Sequence, residues 1–299
     1  MAMEMNSLYF GYGSNLDWDD WYDYCEKTGY NPFGLVDLGI AFLPDHRMVW
    51  HYHSKSREGG AADVIVGDIG EMVPGALFRL EGDAVEAMEK KEGSPNYYCK
   101  KKVVVLTADG KQVDAITYVV NEKKIKDGFI QPKTEYVDLI RKGLSIRGLP
   151  TKMLDDSLNR LYPSFPVKSV FVYGTLRKWG SRHDIITRYD PYESITKCKT
   201  NALMVDFEVF PGLVPGDKVA HGELYSYYNP SRPLEHLDYI EGHQNWRSLQ
   251  CLFQRRIVTV DIQDKQCFAW TYMICNWDDR PLVESGDWIK HTRYRKHNR

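Results

Sequence analysis

Two glutamates in this chain hold the same place in a repeated pattern. Glu92 closes the segment Val85-Glu-Ala-Met-Glu-Lys-Lys-Glu-Gly93, and Glu241 closes Leu234-Glu-His-Leu-Asp-Tyr-Ile-Glu-Gly242. In each, two apolar residues and the glutamate stand at i, i+3 and i+7: Val85, Met88 and Glu92, then Leu234, Leu237 and Glu241. On a helix that spacing sets the carboxylate on the apolar face, aimed inward. A glycine stop follows at once, so the carboxylate lies at the negative end of the helix dipole. Burial and the dipole both raise a carboxyl pKa, toward what a general base near neutral pH requires. The competing reading is a buried glutamate neutralised by Lys or Arg, and a second copy with identical spacing weighs against it. Glu86 and Glu89 fall off this face and read as solvent-side charges.

Each glutamate is preceded, far upstream, by a glycine loop. Tyr9-Phe-Gly-Tyr-Gly-Ser-Asn-Leu16 recurs as Val170-Phe-Val-Tyr-Gly-Thr-Leu-Arg177. A strand that breaks at Gly-Ser-Asn and leads into a helix leaves backbone N–H groups unpaired at the positive end of the dipole, a ready anion site. Gly13 lets a ligand approach the main chain closely. One such turn is most often only a tight turn; two at matching places point to function. Neither Gly-x-Gly-x-x-Gly nor the Walker pattern is present, so a nucleotide is not favoured. No Gly-x-Ser-x-Gly elbow and no base beside a cysteine support nucleophilic catalysis.

Elements that position these groups can be read around them. Ser7–Tyr12 reads as a strand, and Leu16–Lys27, including the acidic-aromatic stretch Asp17–Asp23, as an amphipathic helix closed by Gly29. Further strands are expected at Arg47–Tyr52, Ala62–Val66, Gly75–Leu80, Lys102–Thr107 and Asp114–Val120. Helices are expected at Thr134–Lys142 and Thr151–Leu161, with Thr151 as the cap. Tyr162-Pro-Ser-Phe-Pro166 reads as the linker, since its prolines stop the helix and stiffen the join. The second half repeats the order, with strands at Lys168–Tyr173, Gln254–Val260 and Phe268–Ile274. A repeat this long means two copies of one domain, at 1–162 and 167–299. Strands interleaved with few helices argue for α+β rather than a doubly wound sheet.

Composition excludes several function classes. A hydrophobic fraction of 43% and a charged fraction of 27% describe a globular chain. A net charge of -2 gives no reason to expect nucleic acid or an anionic membrane as partner. The basic tail Lys290–Arg299 reads as a solvated terminus rather than a binding arm. No signal peptide begins at Met1 and no apolar run would span a bilayer, so the expected location is cytoplasmic. The 6 cysteines lack any C-x-x-C pairing and read as reduced thiols. His51 and His53 alternate on one strand, but no third ligand stands at a suitable spacing, and no metal is expected.

At these residues the chain resembles the γ-glutamylcyclotransferase superfamily over nearly its whole length. The first half is similar to γ-glutamylcyclotransferase itself through Phe10–Leu16, Gly59–Ile65, Pro74–Phe78, Glu92-Gly93 and Gly148–Pro150. The second half resembles the γ-glutamylamine cyclotransferase and avirulence-induced branch through Val172–Arg177, Phe210–Gly216, His221–Tyr225 and Leu237–Gly242. The resemblance implies two small mixed β-barrels with flanking helices and a reaction without metal or cofactor. In that reaction the α-amine of a small-molecule γ-glutamyl compound attacks its own γ-carbonyl, forming 5-oxoproline and releasing an amine or amino acid. It implies Glu92 as acid/base, Gly11, Tyr12, Gly13, Ser14, Asn15 and Leu16 as the substrate loop, and Tyr98 and Tyr136 as substrate contacts. In the second half it implies Glu241 with Tyr173, Gly174, Thr175 and Leu176. Phe253 departs from the family tyrosine represented by Tyr98, and His243–Ser248 is an insertion just after the second glutamate. A non-catalytic binding module and removal of a γ-glutamyl protecting group from a carrier-bound intermediate are the alternatives.

Overall fold

A computed structural model describes residues 7–188, 192–248 and 250–297. The start of the chain, at 1–6, and the last two residues of the basic tail lie outside the described residues, so the readings made for them stand as expectations only. The chain forms two compact units. One holds the described residues up to Val105 together with Val113–Pro166; the other holds Leu106–Gln112 and the chain from Val167 onward.

The first unit runs β1 (Ser7–Gly11), α1 (Trp18–Thr28), β2 (Leu35–Pro44), β3 (His46–Ser54), β4 (Gly59–Val66), β5 (Met72–Leu80), α2 (Ala84–Glu92), β6 (Tyr98–Thr107), β7 (Gln112–Val120), α3 (Thr134–Ile146) and α4 (Lys152–Leu158). Five strands close a barrel in the order β1-β5-β2-β6-β7. Its β1–β5 pairing is antiparallel, and β1 meets β7 in parallel at Tyr9 and Ile116. β3 and β4 stand outside the barrel as a two-stranded ribbon. β2 carries no clear strand pattern in the sequence, and its geometry explains why. A bulge between Asp37 and Ile40, with Gly39 at φ 108°, interrupts the alternation of apolar and polar residues.

The second unit runs β8 (Ser169–Val172), α5 (His183–Thr187), β9 (Ser194–Asp206), β10 (Pro211–Ser226), α6 (Ser231–Glu241), β11 (Phe253–Ile262), β12 (Lys265–Ile274) and α7 (Trp288–His297). Its barrel, β10-β8-β12-β11-β9, has the same cyclic order once β8, β10, β9, β11 and β12 are matched to β1, β5, β2, β6 and β7. The one parallel contact recurs, at Trp270 and Val170. Two units of one topology are what the sequence repeat requires. They differ in two respects: the first has the β3–β4 ribbon between its second and third strands, and α3 and α4 follow its fifth strand where α7 follows in the second.

Two local expectations are corrected. Thr151 does not cap α4 with its side chain; its hydroxyl donates to the Asp155 carboxylate at 2.9 Å. The basic tail is not wholly a solvated terminus, because it continues α7, whose Trp288 is buried and stacks on His291. α1 is capped as its residues dictate, with the Asp17 carboxylate accepting from the Asp20 N–H at 3.0 Å and Gly29 left-handed at φ 79°.

Candidate active site

Glu92 ends α2, and Gly93 stops the helix in the left-handed conformation at φ 61°, which a side chain would resist. Ala84, Ala87 and Met88 bury the face beneath it. The half-buried carboxylate lines a cavity of about 600 Å³ with the turn Gly13–Asn15 on its wall. The Asn15 amide donates to Glu92 Oε1 at 2.7 Å and to the Tyr9 hydroxyl at 2.9 Å. Burial raises the Glu92 pKa; the Asn15 hydrogen bond and the charges of Lys91 and Arg57 oppose it, and burial prevails. Among the described residues Glu92 has no ion-pair partner; Asn15 is what holds it.

The turn supplies donors. Its own bonds run from the Leu16 N–H to the Gly13 carbonyl and from the Asp17 N–H to the Ser14 carbonyl. They use none of the N–H groups of Gly13, Ser14 or Asn15, which leaves donors of the kind an oxyanion or carboxylate needs. Tyr136 of α3 places its hydroxyl over Gly13, where an added Cβ would lie 3.6 Å from it.

Arg57, on the β3–β4 turn, was not anticipated from the sequence. It donates to Ser14 Oγ at 2.9 Å and grips Asp20 with two bonds of 2.9 and 2.8 Å. Lys91 reaches the same Asp20 carboxylate at 2.7 Å. Burial works to raise Asp20, yet Arg57 and Lys91 outweigh it and hold the carboxyl down to about 2. One carboxylate thus serves two cations, and this wall of the cavity keeps a net positive charge beside Glu92.

The remaining sites named from the sequence separate into two groups. Tyr12, Gly13, Ser14, Asn15, Tyr98 and Tyr136 line the cavity with Glu92. Gly11 and Leu16 do not. Gly11 lies in β1, where an added Cβ would come 3.0 Å from the Phe78 ring. Leu16 is buried against Gly143 of α3, whose place would be closed to any Cβ by a 2.4 Å contact. Both set the path of the loop. The hydroxyls of Tyr12 and Tyr98 donate to the carbonyls of Tyr118 and Ala62, at 2.7 and 2.9 Å. His51 pairs with buried Asp63 at 2.7 Å, and no cluster among the described residues could hold a metal ion.

In the second unit Glu241 lines a smaller cavity, about 240 Å³, with Tyr173, Gly174, Thr175 and Leu176. Leu176 stands where Asn15 stands in the first loop, and among the described residues no amide reaches this carboxylate. Burial pushes Glu241 up to about 7, and only the charge of Arg182 opposes it. Around it the walls are apolar, including Phe210, Ile240 and Phe253. Phe253 is accounted for: the Tyr98 hydroxyl donates to the carbonyl of Ala62 on β4, and the second unit has no such strand among the described residues. The insertion does not enter this cavity. His243 packs on Trp246 with ring centroids 4.6 Å apart, and Arg255 lies over the Trp246 ring at 5.0 Å.

Two loop-and-glutamate sites on two barrels of one topology make the comparison with known proteins decisive. The γ-glutamyl cyclotransferase, AIG2-like family matches residues 9–138 and again 170–290. The chain belongs to this family. Its two family domains are consecutive, one per barrel. Among relatives, a γ-glutamylcyclotransferase family protein of Escherichia coli K12, YtfP, is 32% identical over 135 residues, 40% of this chain and 95% of its own length. A protein of Methanocaldococcus jannaschii that carries the γ-glutamylcyclotransferase name is 30% identical over 125 residues, 40% of this chain and 93% of its own. The crystal structure of YkqA from Bacillus subtilis aligns with 90% of this chain and 84% of its own length, at 16% identity and a TM-score of 0.37. No helix among the described residues is long and apolar enough to cross a membrane.

Proposed function

We propose that this chain is a 5-oxoproline-forming γ-glutamyl cyclotransferase in which Glu92 is the acid/base of the first site. The observation that carries the reading is Glu92 itself: a carboxylate of raised pKa, held by one amide and, among the described residues, by no cation, beside a turn whose own hydrogen bonds leave N–H donors unused. A γ-glutamyl α-amine is protonated in water, so a base must first take its proton, and Glu92 does so. The freed nitrogen attacks the γ-carbonyl carbon, forming the ring C–N bond and an oxyanion that the loop N–H groups stabilise. The amide C–N bond then breaks as Glu92 returns the proton to the departing nitrogen, and the second proton shed by the ring nitrogen passes through the freed carboxylate to the same amine, which leaves as an ammonium ion. The carboxylate ends as it began, and no outside reactant is consumed. Holding the chain folded for ring closure is a large part of the acceleration.

The two sites are proposed to divide substrates. The first cavity is wide and lined by Lys27, Lys55, Arg57, Lys90 and Lys91, which suits leaving groups with a carboxylate, such as amino acids. The second is small and mostly apolar, with Thr175, Tyr173, Tyr272 and Arg182 beside Glu241, which suits a compact uncharged amine. The absence of an ion pair on Glu92 among the described residues weighs against a mere binding module.

The test is incubation with a panel of γ-glutamyl amino acids and γ-glutamyl amines, with 5-oxoproline read by mass spectrometry, for wild type, Glu92→Gln and Glu241→Gln. Glu92→Gln should cost about 10²- to 10⁴-fold on amino-acid substrates, the usual contribution of a positioned base. Absence of 5-oxoproline from every substrate would refute the activity. Equal losses from both variants on every substrate would refute the division of labour.

A further inference from the structure

Outside both cavities, the second unit brings two thiols together. Cys251 and Cys275 stand 24 residues apart in sequence, with their sulfurs 3.3 Å from each other. The end of the β11–β12 ladder places them there. Phe253 pairs with Ile274, and the Cys275 N–H donates to the Leu252 carbonyl at 3.0 Å. Cys251 is buried, and its S–H donates to the Ser248 carbonyl at 3.2 Å; Cys275 is partly exposed. A covalent S–S bond is about 2.05 Å, so the remaining gap is of order 1 Å.

A second observation concerns the charge beside them. Arg256 is half-buried, bonded only to the uncharged oxygens of Gln254 and Arg255, and has no carboxylate partner among the described residues. Burial holds its pKa down to about 10, and the groups acting to restore it are Cys275 and Cys251. Burial and the neighbouring Cys251 push the Cys275 thiol up to about 12, and the Arg256 guanidinium works against that rise, so a thiolate formed there during exchange has one cation beside it.

We propose that Cys251 and Cys275 form a dithiol that a low-molecular-weight disulfide, such as oxidised glutathione, converts to an intramolecular disulfide. Cys275, the reachable thiol, loses its proton and attacks one sulfur of the small disulfide. That S–S bond breaks, and one small thiolate leaves and takes up the proton. Cys251 then attacks the mixed disulfide at Cys275, forming the protein S–S bond and releasing the second small thiol with the Cys251 proton. Two protein thiols are oxidised and one small disulfide is reduced to two thiols. The product ties the segment after Glu241 to the end of β12. Leu252 and Phe253, which line the second cavity, lie within the loop so closed.

The experiment equilibrates the reduced full-length chain with mixtures of reduced and oxidised glutathione, quenches with acid, alkylates, and maps the cysteine peptides by mass spectrometry. The expected result is a Cys251–Cys275 cross-linked peptide that accumulates as the oxidised fraction rises and reverts with excess thiol. Cys251→Ser should instead trap glutathione on Cys275. If that variant fails to fold, the wild-type map alone decides. Alkylated Cys251 and Cys275 persisting while Cys99 is already glutathionylated would overturn the proposal, as would a stable mixed disulfide on wild-type Cys275.

Discussion

Replacing Glu241 with glutamine should stabilise the fold, and only above a definite pH. In the native state burial raises this carboxyl from 4.5 to about 7. The folded state therefore binds the proton more tightly than the unfolded chain does. Stability is fullest below about pH 4.5 and declines as pH rises through about 7, where the native fold must carry an uncompensated charge. At about 1.4 kcal/mol per tenfold change in proton affinity, the gap amounts to roughly 3 kcal/mol. The residue is half-buried and solvent reaches part of it, so about 2 kcal/mol is the realistic figure. Glutamine has the shape of the protonated acid and cannot ionise. Its variant should melt with wild type near pH 4 and some 5 °C above it near pH 8, about what 2 kcal/mol yields for a unit of this size. Calorimetry of both full-length proteins across that range is the assay. A variant that melts below wild type near pH 8, or that differs from it equally at both ends, would refute the reasoning that burial alone sets this carboxyl.

Asn15→Leu copies the second loop into the first and removes the donor that favours the Glu92 carboxylate. A hydrogen bond to a charged group is worth about 1.5–3 kcal/mol, so the acid limb of kcat/KM should move to higher pH while the plateau above it survives in part. An unmoved limb would show that Glu92 is not the titrating base. Arg57→Lys keeps the charge but cannot hold Ser14 and both Asp20 oxygens at once; KM should rise about tenfold with little change in melting temperature. Gly143→Ala drives a methyl group into Leu16 and should cost roughly 1–3 kcal/mol of stability, with a parallel loss of turnover as the loop shifts. Circular dichroism melts beside the 5-oxoproline assay separate the last two cases.

Much was legible in the sequence because it depends on local spacing. The repeat, the strand-loop-helix around Gly13, and the inward aim of Glu92 and Glu241 follow from periodicity and glycine stops. The compact units change over between Pro166 and Val167, but Leu106–Gln112 groups with the second unit, and nothing in the sequence pattern marks that segment. Elements whose pattern a bulge interrupts were not legible, and β2 is the example.

The surroundings of each carboxylate belong to the tertiary structure. Asn15 and Glu92 lie 77 residues apart and Arg57 and Ser14 lie 43 apart, so no spacing rule joins them. Gly11 and Leu16, part of the same motif as Asn15, turn out to be packing residues because the barrel wall and α3 meet there. By itself, then, the sequence determined that there are two loops and two inward glutamates. Their difference arises from what folds over each one. The β3–β4 ribbon brings the Arg57 cation and the Ala62 carbonyl that accepts the Tyr98 hydroxyl to the first, and mostly apolar side chains close over the second. A carboxylate's proton affinity depends on solvent exclusion and charge through space, and chain order alone specifies neither.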